Sequence, residues 1–260
     1  MLVREEGKAA VCIGQASHAW LSGQLARAWG GDAVAPIRPR EEVCLAAEQH
    51  DVGMATWDLR PTLHPQTGRP RSFLQMELPV HLALWSAAPE RLLTQSRYAA
   101  LLVSVHGTII YGRSDLSTMS PERAGPIGEY LAAQRELQAR LRAELGASEE
   151  EVARNGRLVF AWDWLSLALC LHWPGGDTPS VPLADGDGPL QYVPDEQGGT
   201  LSPWPFAVPE LRVWCEAKRL EGRFEDEPSL HAALDAAPLE RLEFLLRGTT
   251  GPASPAHPLP

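Results

Sequence analysis

The chain is short of cysteine, with four in 260 residues, at positions 12, 44, 170 and 215. None forms a Cys-x-x-Cys pair, which argues against a disulfide scaffold and a thiolate zinc site. Three of the four sit in apolar stretches, where a free thiol packs as a small hydrophobe. That usage fits a reducing cytoplasm, and cytoplasmic is the expected location. Positive charge is scarce too: 23 Lys and Arg stand against 33 Asp and Glu, a formal net charge of −10. A duplex binder needs a basic face to neutralise phosphates, so no nucleic-acid partner is expected. No segment approaches the ~20 apolar residues of a membrane span, so no membrane partner is expected. Met1 to Lys8 is charged and leads into no adequate apolar run, which reads as no signal peptide.

What is present is enough apolar residue for a sizeable core. Ala9 to Ile13 reads as a short strand or extended lead-in. Helical periodicity covers Gln15 to Trp29, with Leu21, Leu25 and Trp29 on one stripe, and Arg40 to Val52, with Gly53 as its stop. Met54 to Ser72 reads as a long ordered loop. Further helices are expected over Phe73 to Leu93, interrupted near Pro79, then over Ser96 to Ile110, Pro126 to Leu145 and Ser148 to His172. Beyond Trp173 proline, glycine and aspartate increase. Leu211 to Phe224 and Leu239 to Leu246 read as strands, and Pro228 to Leu234 as a short helix. The expected fold is mainly α: a helical metal-binding domain over residues 1–173, a small β-rich appendage over 174–247 packed on it, and a disordered tail over 248–260.

Ionisable residues interrupt faces that should be buried. His18 shares the stripe of Leu21 and Leu25. His50 follows Val43 and Ala47 at helical intervals, and Asp51 lies about 100° further round. His81 joins Leu74, Leu78 and Trp85, and His106 follows Ala99 and Leu102. Asp163 lies between Phe160 and Leu167. No lysine or arginine shares these faces, and a lone buried carboxylate is costly unless paired or bound to metal. The economical partner is cationic metal: two divalent ions (iron, manganese, nickel or zinc), with Asp51 as the natural bridge. Asp58, just beyond the His-Asp pair, could orient a ligand histidine, contact substrate as a catalytic group, or cap a turn. Arg60, Arg69 and Arg71 of the long loop could clamp a phosphate or carboxylate, with Arg60 a catalytic candidate as well.

The order His, His-Asp, His, His, Asp resembles that of the HD-domain metalloproteins over roughly residues 10–172. More narrowly, the stretches 46–53, 65–70 and 101–107 and Ser202-Pro203-Trp204-Pro205-Phe206 resemble the bacterial family called domain of unknown function 3891. The wider resemblance implies an HD-like helical bundle. It implies that His18, His50, Asp51 and Asp163 bind a first metal, and Asp51, His81 and His106 a second. The cyclic-dinucleotide phosphodiesterases of that group carry a double histidine where this chain has His106-Gly107, and their Gly-Tyr-Pro motif is missing. The resemblance leaves a metal-dependent phosphohydrolase acting through a metal-activated water on a small phosphoester or nucleotide. A mixed-valent di-iron oxygenase of the myo-inositol oxygenase type, and a non-catalytic metal-stapled ligand binder, are the alternatives. The expected partner is a small anionic substrate, and a homodimer is left open.

Overall fold

The computed structural model describes residues 1–249. Two strands open the chain, β1 (Leu2–Glu6) and β2 (Ala9–Ile13), followed by helices α1 (Gln15–Ala28) and α2 (Arg40–Gln49) and a single turn, α3 (Ala55–Asp58). A two-stranded ribbon, β3 (Leu63–His64) and β4 (Arg69–Pro70), leads to α4 (Leu78–Ala87), α5 (Arg97–Gly112), α6 (Pro121–Leu145) and α7 (Glu149–Leu171). Five strands follow: β5 (Gly176–Asp177), β6 (Val181–Leu183), β7 (Gly186–Gly188), β8 (Gln191–Asp195) and β9 (Gly198–Ser202). The last elements are β10 (Glu210–Glu221), α8 (Glu227–Ala236) and β11 (Leu239–Gly248). The tail expected to be disordered falls, from residue 250 onward, outside the described residues.

Local chemistry explains where the helices begin. Ser96 and Ser148 cap α5 and α7 by accepting from the Ala99 and Glu151 backbone amides. Glu149, Glu150 and Glu151 lie in the first turn of α7, against the positive end of its dipole. Pro79 sits in the first turn of α4, where it forfeits no hydrogen bond, so the helix starts there and is not kinked. Gly53 does not end α2 by adopting a left-handed conformation. It is needed because a Cβ there would run into the Leu84 carbonyl of α4.

The expected mainly α bundle with a small β appendage is overturned by the sheet. Seven strands join in the order β1-β2-β10-β11-β9-β8-β5, antiparallel throughout except for the parallel pair β11 and β9. β2 is buried along its whole length and pairs with β10, Ile13 opposite Ala217. The N-terminal strands thus belong to the same sheet as the C-terminal ones. One apolar core runs through both layers, with Val11, Val213, Leu201 and Leu246 from strands packed among Leu21, Leu101, Trp162 and Leu169 from helices. Pairing between residues some 200 positions apart leaves no local periodicity, which is why the sheet looked like an appendage.

β2 covers only the part of β10 from Ala217 onward. Side chains of α1 continue the pairing upstream. Ser17 Oγ donates to the Glu216 carbonyl (2.6 Å) and accepts from its amide (2.9 Å). The Gln24 amide does the same for Trp214, at 2.7 and 3.2 Å. These four bonds satisfy strand groups that would otherwise be unpaired, and they fix α1, the helix that carries His18. Among the described residues no helix is long and apolar enough to cross a membrane.

Candidate metal centre

Five of the six residues expected to bind metal converge in one buried cluster. His18 comes from α1, His50 caps the C-terminus of α2, Asp51 follows it, His106 lies on α5 and Asp163 on α7. The expected continuation of the second helix through Asp51 is corrected. α2 ends at Gln49, and Asp51 takes φ −104° and ψ 18° before a short 3₁₀ turn. That break turns the Asp51 carboxylate onto the inner face, 2.7 Å from His18 Nε2 and 3.6 Å from His50 Nε2.

Two of the three imidazoles are anchored by hydrogen bonds. His50 Nδ1 lies 2.8 Å from the Ala47 carbonyl. A carbonyl only accepts, so Nδ1 carries the proton and Nε2 is turned to the cluster. His18 Nδ1 lies 2.8 Å from Ser166 Oγ, whose own proton goes to the Asp163 carbonyl (2.8 Å). Ser166 therefore accepts from His18 and leaves Nε2 to face Asp51. Asp163 spreads its two oxygens: Oδ1 lies 3.3 Å from His50 Nε2 and 3.8 Å from His18 Nδ1, and Oδ2 lies 3.6 Å from His106 Nε2.

The electrostatics are those of a site holding positive charge. Burial lowers the His50 pKa, but the charges of Asp51 and Asp163 outweigh it and push the group up to about 9. Burial and the adjacent positive His50 bring His106 down to about 4, so it stays neutral. Burial raises Asp51 and Asp163, yet His50 foremost among the surrounding histidines brings both below the usual carboxylate range. Three buried nitrogens, His50 Nε2 and both of His106, have no hydrogen-bond partner among the described residues. Leaving each unmade costs about 1–3 kcal/mol. Donor atoms about 2.0–2.2 Å from a common ion lie roughly 3–3.5 Å apart. His18, His50 and Asp163 each offer one donor atom within 4.8 Å of the others, and this buried set can hold a metal ion.

His81 is not brought into this cluster. The Trp85 indole N–H donates to its Nε2 (3.2 Å), and its Nδ1 meets the Tyr111 hydroxyl. Trp85 in turn packs against His106, ring centroids 5.5 Å apart. Asp58 is tied elsewhere as well: one oxygen pairs with the Met1 ammonium and the other accepts the Gln15 amide at the start of α1. The loop arginines point away from the cluster. Arg60 pairs with Asp235, Arg69 is buried on the Leu220 and Lys8 carbonyls, and Arg71 donates to the Leu63 and Gln75 carbonyls. Ser166 escaped the sequence reading, although it lies three residues after Asp163 on the same helix, one turn along the same face. Tyr111 escaped as well, because its partner His81 lies on a different helix.

The arrangement defines a buried histidine–carboxylate group, gathered from four helices, that can hold a metal ion. A family model described as Protein of unknown function (DUF3891) matches residues 1–222, and the chain belongs to that family. Nothing matches it among curated proteins or among solved structures.

Proposed function

We propose that the chain is a metal-dependent phosphohydrolase that holds a single divalent ion. The core of the site is His18, His50 and Asp163, with Asp51 and His106 completing the shell. The observation that carries the metal is the pair of partnerless imidazole nitrogens, His50 Nε2 and His106 Nε2, that face the Asp51 and Asp163 carboxylates. One ion is favoured over the expected two because His81, needed for the second, has its Nε2 lone pair occupied by Trp85. The order His18, His50-Asp51, Asp163 is that of the HD-type metalloproteins, and this resemblance supports hydrolysis.

A bound divalent ion lowers the pKa of a coordinated water toward neutrality and polarises a phosphoryl oxygen. The chain supplies the remainder. Ser166 and the Ala47 carbonyl fix the two anchoring rings. Trp85 and Phe160 pack on His106 and keep water off that side. Asp163, at 7% the most exposed of the five, would be the ligand nearest to solvent. The substrate is a small phosphoester.

The test is metal analysis of protein purified without chelator, followed by phosphate release from p-nitrophenyl phosphate and a nucleotide panel. The expected result is one ion per chain and release abolished in Asp51→Asn and Asp163→Asn. A metal-loaded protein silent across the panel would overturn the reading. Iron with oxygen uptake would replace it with an oxygenase.

A further inference from the structure

A cavity of about 440 Å³ opens between the sheet, the start of α1, α3 and the end of α8, and none of the five cluster residues lines it. Its size falls within the ~300–1,000 Å³ of small-molecule sites. One row of the sheet forms its floor. Lys218 of β10 stands opposite Cys12 of β2 on one side and Leu239 of β11 on the other, and residues directly opposite share a face. Glu216, two residues back along β10, points the same way. The walls are small or aliphatic: Gly14 and Ala16 from α1, Ala55 and Leu59 at α3, and Leu234 from α8. Arg60 grips Asp235 through two bonds, 3.0 and 3.1 Å, and so ties the α3 wall to the α8 wall.

Two features of this cavity are unspent. Leu59 and Leu239 line it while 67% and 65% exposed, so their apolar surface stands in water. The other feature is Lys218. Its ammonium donates to the Leu234 carbonyl, and no carboxylate pairs with it among the described residues. Three N–H groups thus serve one acceptor, which leaves two donors and a positive charge for a guest. The remaining charges along the lining are matched: Asp58 by the Met1 ammonium, Asp235 by Arg60, and Glu216 by Arg241 at 3.8 Å.

We propose that this cavity binds a small amphipathic monocarboxylate, its hydrocarbon body against Leu59, Leu234 and Leu239 and its anionic head on Lys218. A neutral apolar guest would leave the ammonium unanswered, and a small polar anion would leave the leucines in water. A carboxylate on a chain of several carbons answers both. The proposal does not rest on the phosphohydrolase reading, because the cavity and the metal cluster share no residue.

Calorimetric titration of the full chain with octanoate, 1-octanol and acetate tests it. Octanoate is expected to bind, octanol about tenfold more weakly for want of the charge, and acetate more weakly still for want of the chain. Lys218→Met keeps an apolar stem and should erase the advantage of octanoate over octanol. Leu239→Ser should weaken both by several-fold. Ala16→Trp fills the cavity and should abolish binding; Ala16 and Leu239 are exposed, so these two variants fold. Three results would overturn the proposal: no octanoate binding, octanol binding as tightly as octanoate, or octanoate binding indifferent to Ala16→Trp. Binding abolished by a chelator would overturn it as well, by placing the carboxylate on the metal.

Discussion

His50 and His81 both have ring neighbours, and only one has a nitrogen to spare. In His50 the outer nitrogen is tied to a backbone carbonyl and the inner one, unsatisfied, meets two carboxylates. In His81 both nitrogens are spent, one on Trp85 and one on Tyr111. The same side chain thus becomes a ligand or a strut according to whether its second nitrogen finds a protein partner. His50 is fully buried and His81 half-buried, but the unpartnered nitrogen is what invites a cation.

The comparison breaks most readily at Asp163. Asp163→Ala should leave His50 with one counter-charge fewer and cost about 3–5 kcal/mol by denaturant titration of metal-free protein. It should also empty the site in metal analysis. A variant as stable and as metal-rich as the parent would remove Asp163 from the cluster. Next comes Gly107→Ala, whose Cβ would collide with the Tyr130 hydroxyl and lie 3.1 Å from Trp85. A loss of about 1–3 kcal/mol is expected, partly restored when Tyr130→Phe removes the obstructing oxygen. A double-mutant cycle with no coupling would refute that contact.

Ser166→Ala sharpens the comparison by freeing the anchored nitrogen of His18. Metal affinity should fall about 10–100-fold, as for loss of other groups that orient ligands, while the fold survives. The smallest effect belongs to His81→Gln. It should cost about 1 kcal/mol through the lost Trp85 bond and leave the metal content unchanged, whereas His106→Gln lowers it. Equal metal loss in both would restore the two-ion arrangement.

Much of the cluster was legible because helical stripes are local. His18 rides with Leu21 and Leu25, and His106 with Ala99 and Leu102, so an inward direction follows from spacing alone. Asp51 was read on the right face for the wrong reason, since its position depends on the helix ending at Gln49, three residues short of the expected end. His81 was misplaced because α4 buries only Leu82 and Trp85, and what holds His81 includes a tyrosine 30 residues away. The loop arginines illustrate the same limit. Composition shows a charged loop, but that Arg69 would lie on the Leu220 carbonyl depends on a strand far along the chain. The sheet was least legible, since nothing near Ala9–Ile13 names β10 as its partner.

The four bonds between α1 and β10 carry a consequence for biosynthesis. As the ribosome delivers the polypeptide from its N-terminus, the helix bearing His18 emerges early, but Trp214 and Glu216 are made only after all the other cluster residues. Until then the nascent chain offers a metal only loosely arranged donors, and the centre is assembled late, when the last third of the protein arrives to clamp the first.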